Sequence, residues 1–466
     1  MLGEALSSSD QEITQDLSRP TPDLSKLSLF DPLRHAGVSK GKAIHLLRER
    51  VSAYPNQPLA WTELARQYLA SGLDEKASDA MSCAVQLAPN NRYVLRSAVR
   101  FYSRSSEGLD RALWLLRRTP RTPRDPWLLA AEIATADKAE ESSPFVKTAK
   151  AMLERKRARP RHYSELAAAV GTLEHDHGRH KQAKQFLAQA LVDPTGNSLA
   201  QAVFLSRSDR RVVVPAQLEL RQEDFEANAR SHYADGRFEL AMSAAKAWLE
   251  DEPFDVKPAL LGSFLSFDDS LAAAAEEIAT LGLSSSPHHP MLLNNRAVSR
   301  AYLGDYVGAF DDIKGSAKTS RDEPSHLATL GLLAYRIGSQ QFGRDCYTKA
   351  IAWFASIGDL ASVYRACLYW SRERARIGDT QVEPDLEFIK GRIQKLPLEQ
   401  QESDLIALVN AVEREMLAGP TQDLWKPVPE AHPAALESVQ SSFRIPEPAL
   451  ARAKVFEVDA LPLITS

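Results

Sequence analysis

His175, Asp176, His177 and His180 are the densest group of metal-ligand residue types in the chain, and imidazole with carboxylate suits a divalent ion such as zinc. They straddle Gly178, however, and offsets of two and five residues do not place imidazoles on one helix face. The group reads as a polar turn, and no metal is expected. His288 and His289, directly before Pro290, read the same way. Cys83, Cys346 and Cys367 are widely separated, each inside an apolar helical pattern. That fits neither a disulfide framework nor a zinc spacing and implies buried, reduced thiols. The sequence contains no phosphate-binding glycine loop, nucleophile elbow or zinc-protease motif. No catalytic residue and no cofactor is expected, and the chain reads as non-enzymatic.

The remaining chemistry is charge. From Leu33 to Arg211 there are 30 Lys and Arg against 18 Asp and Glu, and from Val212 to Ser466 there are 25 against 37, so the total of −4 hides a polar molecule. A basic half attracts acidic peptides, nucleic acid or anionic surfaces, and it can also meet the acidic half of a second copy. Lys147, Lys150, Arg155, Lys156, Arg157, Arg159 and Arg161 are dense enough for phosphate contacts. No aromatic residue interleaves with them except Tyr163 at the edge, and stacking platforms are what single-strand binders add. Nucleic acid therefore ranks below protein as a partner.

Residues 1–32 lack an apolar run and carry six acids against Arg19 and Lys26, unlike a secretory signal. No stretch reaches the 18 or so apolar residues of a membrane helix. A soluble, cytoplasmic protein with no membrane partner is expected.

The elements that hold these residues are legible from spacing. Between Pro58 and Pro89 the chain sets Trp61, Leu64, Ala65 and Tyr68, then Ala77 and Met81. This order resembles the tetratricopeptide signature, a helix-turn-helix unit of about 34 residues. Upstream, Gly41, Ala43, Leu47 and Pro55 fit half a unit. Downstream the rhythm returns at Gly178, Ala183, Leu187 and Ala190; at Gly236, Ala241 and Ala245; and at Gly262, Leu265, Ala274 and Ile278. Residues 290–323 and 324–357 continue it with Leu293, Ala297, Gly304, Ala309 and Ile313, then Leu327, Leu330, Gly331, Gly338, Tyr347 and Ala350. Small residues such as Ala65, Ala77, Gly262, Ala274 and Gly331 fit close helix crossings. Gly72, Gly178, Gly236, Gly304 and Gly338 fit left-handed turns between paired helices.

The resemblance implies an all-α fold, a right-handed superhelical solenoid of such repeats, in which each unit buries its apolar face on its neighbours. The expected organisation is a disordered segment at 1–32, a basic array at 33–211 that is irregular at 92–160, and a second array at 212–357. Capping helices follow at 358–418, then a proline-rich extended tail at 419–466. Val212–Val214 before Pro215 reads as a connector rather than a sheet strand. Apolar residues near the ends, among them Leu24, Leu27, Leu29, Phe30, Trp425, Phe443, Leu461 and Leu463, suit docking onto the solenoid or a partner.

In tetratricopeptide proteins the first helix of each unit lines the concave groove. The resemblance places Arg66, Arg96 and Arg100 there, where guanidinium groups could grip carboxylates bidentately, and Asn294 where it could hydrogen-bond a peptide backbone. The implied function is a protein-protein interaction scaffold or adaptor that binds an extended segment, acidic at the basic half. The alternatives are a nucleic-acid-binding or regulatory subunit of a larger complex, or a component that self-associates through its opposite-charge halves.

Overall fold

Proline at the first turn of a helix costs nothing, because the N–H it lacks has no intrahelical partner there. Pro58, Pro126, Pro160, Pro290 and Pro324 each use this position. The computed structural model describes residues 40–104, 106–155, 159–215, 218, 224–252, 255–396, 403–420 and 429–456. Leu24, Leu27, Leu29, Phe30, Lys156, Arg157, Trp425, Leu461 and Leu463, named from the sequence, lie outside the described residues.

The described residues form two compact units, one up to Asn228 together with Ala247–Val256, the other from Ala229–Lys246 and Lys257 onward. In chain order the helices are α1 (Lys40–Ala53), α2 (Pro58–Ala70), α3 (Asp74–Leu87), α4 (Arg92–Tyr102), α5 (Ser106–Arg118), α6 (Pro126–Lys138), α7 (Val146–Arg155), α8 (Pro160–Asp176), α9 (His180–Ala190) and α10 (Gly196–Ser208). They continue as α11 (Phe225–Ala234), α12 (Phe238–Asp251), α13 (Val256–Phe264), α14 (Ala272–Ser285), α15 (Pro290–Leu303), α16 (Tyr306–Thr319), α17 (Pro324–Arg336), α18 (Gln340–Ser356), α19 (Leu360–Arg376), α20 (Val382–Ile393), α21 (Ser403–Ala418), α22 (Pro433–Gln440) and α23 (Glu447–Phe456). No strand occurs among the described residues, so the fold is all-α.

Neighbouring helices pair as hairpins: α2 with α3, α4 with α5, α8 with α9, α15 with α16, and α17 with α18. First helices start at Pro58, Arg92, Pro126 and Pro160, and again at Val256, Pro290 and Pro324, with a step of thirty-four residues throughout each run. The fold is therefore a tetratricopeptide-like helical repeat, with successive hairpins packed on one another within each unit. The sequence reading has the register drift at 92–160, but the structure keeps it. The proline-rich stretch Thr119–Pro126 closes into one 3-10 turn at Thr122–Arg124, and Asp125 then caps α6 by accepting the Trp127 N–H at 3.0 Å. Irregularity is confined to the short α7 and the connection before it.

The five turn glycines expected from the sequence all take positive φ, +83° at Gly304, a conformation in which other residues are strained. The close crossings are also real. A Cβ on Gly331 would lie 2.9 Å from the Tyr347 ring and 3.1 Å from the Gly343 carbonyl. Around Gly262 the register shifts by one: Ala275 is fully buried while Ala274 is only half-buried, because two 3-10 turns, Leu265–Phe267 and Asp269–Leu271, interrupt the unit. Val212 joins Leu187 and Leu205 in a small apolar cluster.

The described part of the tail corrects the expectation of an extended chain. Pro433 sits at the first position of α22, where proline starts a helix rather than breaking it. The tail docks on its own unit: Leu436 and Phe443 are buried, Gln440 Nε2 donates to Asp345 Oδ2 at 2.8 Å, and the Arg444 N–H donates to the Arg321 carbonyl at 2.9 Å. Cys346 and Cys367 are buried free thiols, both pushed up in pKa by burial, and Cys83 is half-buried. No helix among the described residues is long and apolar enough to cross a membrane.

Candidate partner-binding site

The three arginines singled out in the first unit stand on first helices, Arg66 on α2 and Arg96 and Arg100 on α4. All three already meet carboxylates or carbonyls of the same unit. Arg66 donates to the Asp251 carbonyl and lies 3.8 Å from Glu63. Arg96 pairs with Glu165 at 2.8 Å and covers the Trp127 ring at 4.8 Å, and burial lowers its pKa while Glu165 opposes that shift. Arg100 pairs with Glu252. Beside Arg100 is a cavity of about 250 Å³ lined by Asp224, Glu226, Asp251 and Glu252, so acids outnumber the single base. The excess of basic residues in the sequence does not translate into a bare basic groove at these positions.

The second unit presents a different surface. Helices α15, α17 and α19, each the first of its hairpin or the one that follows it, line a cavity of about 220 Å³. Its walls repeat with the fold: Met291, Ser325 and Asp359; Asn294, Ala328 and Ser362; Val298, Leu332 and Ala366 each follow one another at thirty-four residues. Phe264, Tyr347, Phe354 and Tyr369 supply the aromatic surface. Burial raises the pKa of Tyr347 and Tyr369 well above the usual phenol value, so both hydroxyls stay neutral.

Most polar groups around this cavity are satisfied internally. Asn295 Nδ2 donates to Ser263 Oγ at 3.0 Å. Asp359 caps α19 by accepting the Ser362 N–H at 3.0 Å, and Glu323 accepts from the Ser325 N–H and hydroxyl. Arg365 is held by Asp404 at 2.7 Å. Asn294 is the exception: it is 5 % exposed, and its Oδ1 is buried without a hydrogen-bond partner among the described residues. The sequence reading identified Asn294 but not the residues around it. The signal was available, since adding the repeat period to Asn294 gives Ala328 and Ser362.

The histidines read as a polar turn do lie at the turn between two helices. His175 lies in the last turn of α8 and His180 begins α9, and Gly178, with φ +72°, reverses the chain between them. The two imidazoles meet edge to face with centroids 5.5 Å apart, although they share no helix face. His177 points away and bonds the Leu173 carbonyl through Nδ1 at 2.6 Å.

No protein-family model matches the chain, and no curated protein matches it. Among solved structures it is similar to yeast Tom70, at 12% identity over 90% of this chain and 100% of that one, with a TM-score of 0.29. It is also similar to the P58(IPK) TPR domain, at 15% identity over 68% and 97%, TM-score 0.22, and to Naa15/Naa10 bound to HypK-THB, at 13% over 93% and 83%, TM-score 0.26. Likeness this distant carries no partner or activity over to this chain. Its repeat character rests on its own helix hairpins.

Proposed function

We propose that the chain is a non-enzymatic interaction scaffold whose second unit takes an extended peptide segment of another protein in the cavity around Asn294. The observation that carries this reading is the orphaned Asn294 Oδ1, beside a concavity whose walls join aromatic and aliphatic surface to polar groups that are mostly satisfied internally. Leaving a buried acceptor unpaired costs about 1–3 kcal/mol, which a peptide N–H entering the cavity would recover. The aromatic and aliphatic walls would take that peptide's side chains. An acidic segment gripped by Arg66, Arg96 and Arg100 is the weaker proposal, because it must displace Glu165, Asp251 and Glu252. Association through opposite-charge halves and nucleic-acid binding draw on charge alone.

The test is positional. A linear peptide selected from a random display library and fitted with a photoreactive side chain should label Met291, Val298 or Tyr369 in the full chain. Labelling confined to the first unit would refute the assignment of the cavity.

A further inference from the structure

The turn between α8 and α9 brings more than two imidazoles together. Asp209, the residue that ends α10, places Oδ2 at 3.3 Å from His175 Nε2 and 3.7 Å from His180 Nδ1. The three donor atoms lie within 4.8 Å of one another. Two tetrahedral ligands at zinc bond lengths of 2.0–2.1 Å stand about 3.3 Å apart, so the set is close to the spacing an ion would impose.

Two further features match a ligand set better than a surface ion pair. His175 Nδ1 lies 3.2 Å from the Asp176 carboxylate, and in the tautomer that donates there Nε2 is the nitrogen left to bind an ion beside Asp209 Oδ2. That carboxylate-histidine arrangement is how metal-binding imidazoles are usually oriented. His180 Nδ1 is buried and has no hydrogen-bond partner among the described residues, although the ring is 37% exposed. At 3.7 Å from a carboxylate oxygen this nitrogen makes no hydrogen bond with it, and an ion between them would satisfy both.

Arg211 is the opposing feature. Its Nε donates to both carboxylate oxygens of Asp209, at 2.8 Å to Oδ1 and 3.0 Å to Oδ2, and its backbone N–H donates to Oδ1 at 2.9 Å. Oδ1 therefore takes two of these bonds and Oδ2 one; with 58% of the Arg211 side chain exposed the guanidinium charge is well screened, and Oδ2 keeps a lone pair on the side of the imidazoles.

We propose that His175 Nε2, His180 Nδ1 and Asp209 Oδ2 bind a divalent transition ion of the zinc class, with a fourth position left to water. Three protein ligands of nitrogen and oxygen type with one open position are a known zinc arrangement. Here the ion would tie together α8, α9 and the end of α10.

The experiment uses the full chain, with Zn²⁺ titrated against a chromophoric chelator and Co²⁺ as a spectroscopic probe. The wild type should bind one equivalent of Zn²⁺, and its Co²⁺ form should show the strong visible bands of a tetrahedral site. H180A, at an exposed ring, and D209N should each weaken Zn²⁺ binding at least about tenfold. H177A, which alters a neighbouring imidazole outside the set, should bind within about twofold of wild type. Circular dichroism confirms that each variant is folded. No binding by the wild type, or equal binding by wild type and H180A, would overturn the assignment.

Discussion

Two side chains make opposite demands on the fold, and each gives a measurable consequence. Asn294 presents a buried acceptor with no partner, so Asn294→Leu should leave thermal stability unchanged or raise it by up to about 1 kcal/mol, while peptide capture falls. A drop in melting temperature for that variant would show that Asn294 serves the core instead. His326 is fully buried, its ring nitrogens 3.1 and 3.0 Å from Ser316 Oγ, and burial depresses its pKa to about 4. Between that value and the ordinary value of about 6.5, the unfolded chain binds a proton that the folded chain does not. The stability contributed by neutral His326 is complete above the upper value and is lost as pH falls through this window, by at most about 1.4 kcal/mol per pH unit. Urea midpoints measured at neutral and mildly acid pH should differ less in His326→Gln than in wild type; an equal difference would exclude His326 as the source. Asn294 was legible in the sequence because the repeat fixes which positions face inward. Asp209 was not, because its role depends on where a later helix ends, and no local spacing records that.

At the level of helices, period and punctuation were readable, and the exceptions had local causes. Thirty-four-residue spacing and turn glycines located the hairpins, while a single 3-10 turn let a proline-rich stretch keep a register that composition said was lost. Docking of the tail was legible in its apolar residues, but its helix was misread as extended chain because proline was taken as a helix breaker rather than a helix starter. Close crossing of α17 and α18 predicts that Gly331→Ala destabilises the fold by about 1–3 kcal/mol, despite alanine's better helix propensity, since a methyl there meets the Gly343 backbone. A denaturation midpoint at or above wild type would show that the crossing relaxes. Arg336 on α17 and Glu373 on α19 form a buried pair with approaches of 2.7 Å, and Arg336 also lies over Tyr302. Glu373→Gln strands a buried guanidinium and should cost about 3–5 kcal/mol, read by the same midpoint. A loss below about 1 kcal/mol would mean that the tyrosine and neighbouring groups already hold the charge.

For the whole molecule, the sequence suggested a basic half seeking acidic ligands, yet the structure meets much of that charge within the first unit: Arg92 with Asp125, Arg117 with Glu132 and Glu141, and Lys150 with Glu174. Net charge was legible in composition, but its pairing was not, because pairing depends on contacts across hairpins. The cavity at Asn294 recognises its guest by amide and apolar surface, so peptide affinity should change less than about threefold between low and moderate salt, whereas a phosphate-binding surface would lose orders of magnitude. Calorimetric titration of one library-selected peptide into the full chain and into Asn294→Ala reads the contribution of this amide to peptide binding. The structure predicts a loss of about 5- to 150-fold, the equivalent of one buried hydrogen bond, with both proteins equally folded. Equal affinities would contradict it.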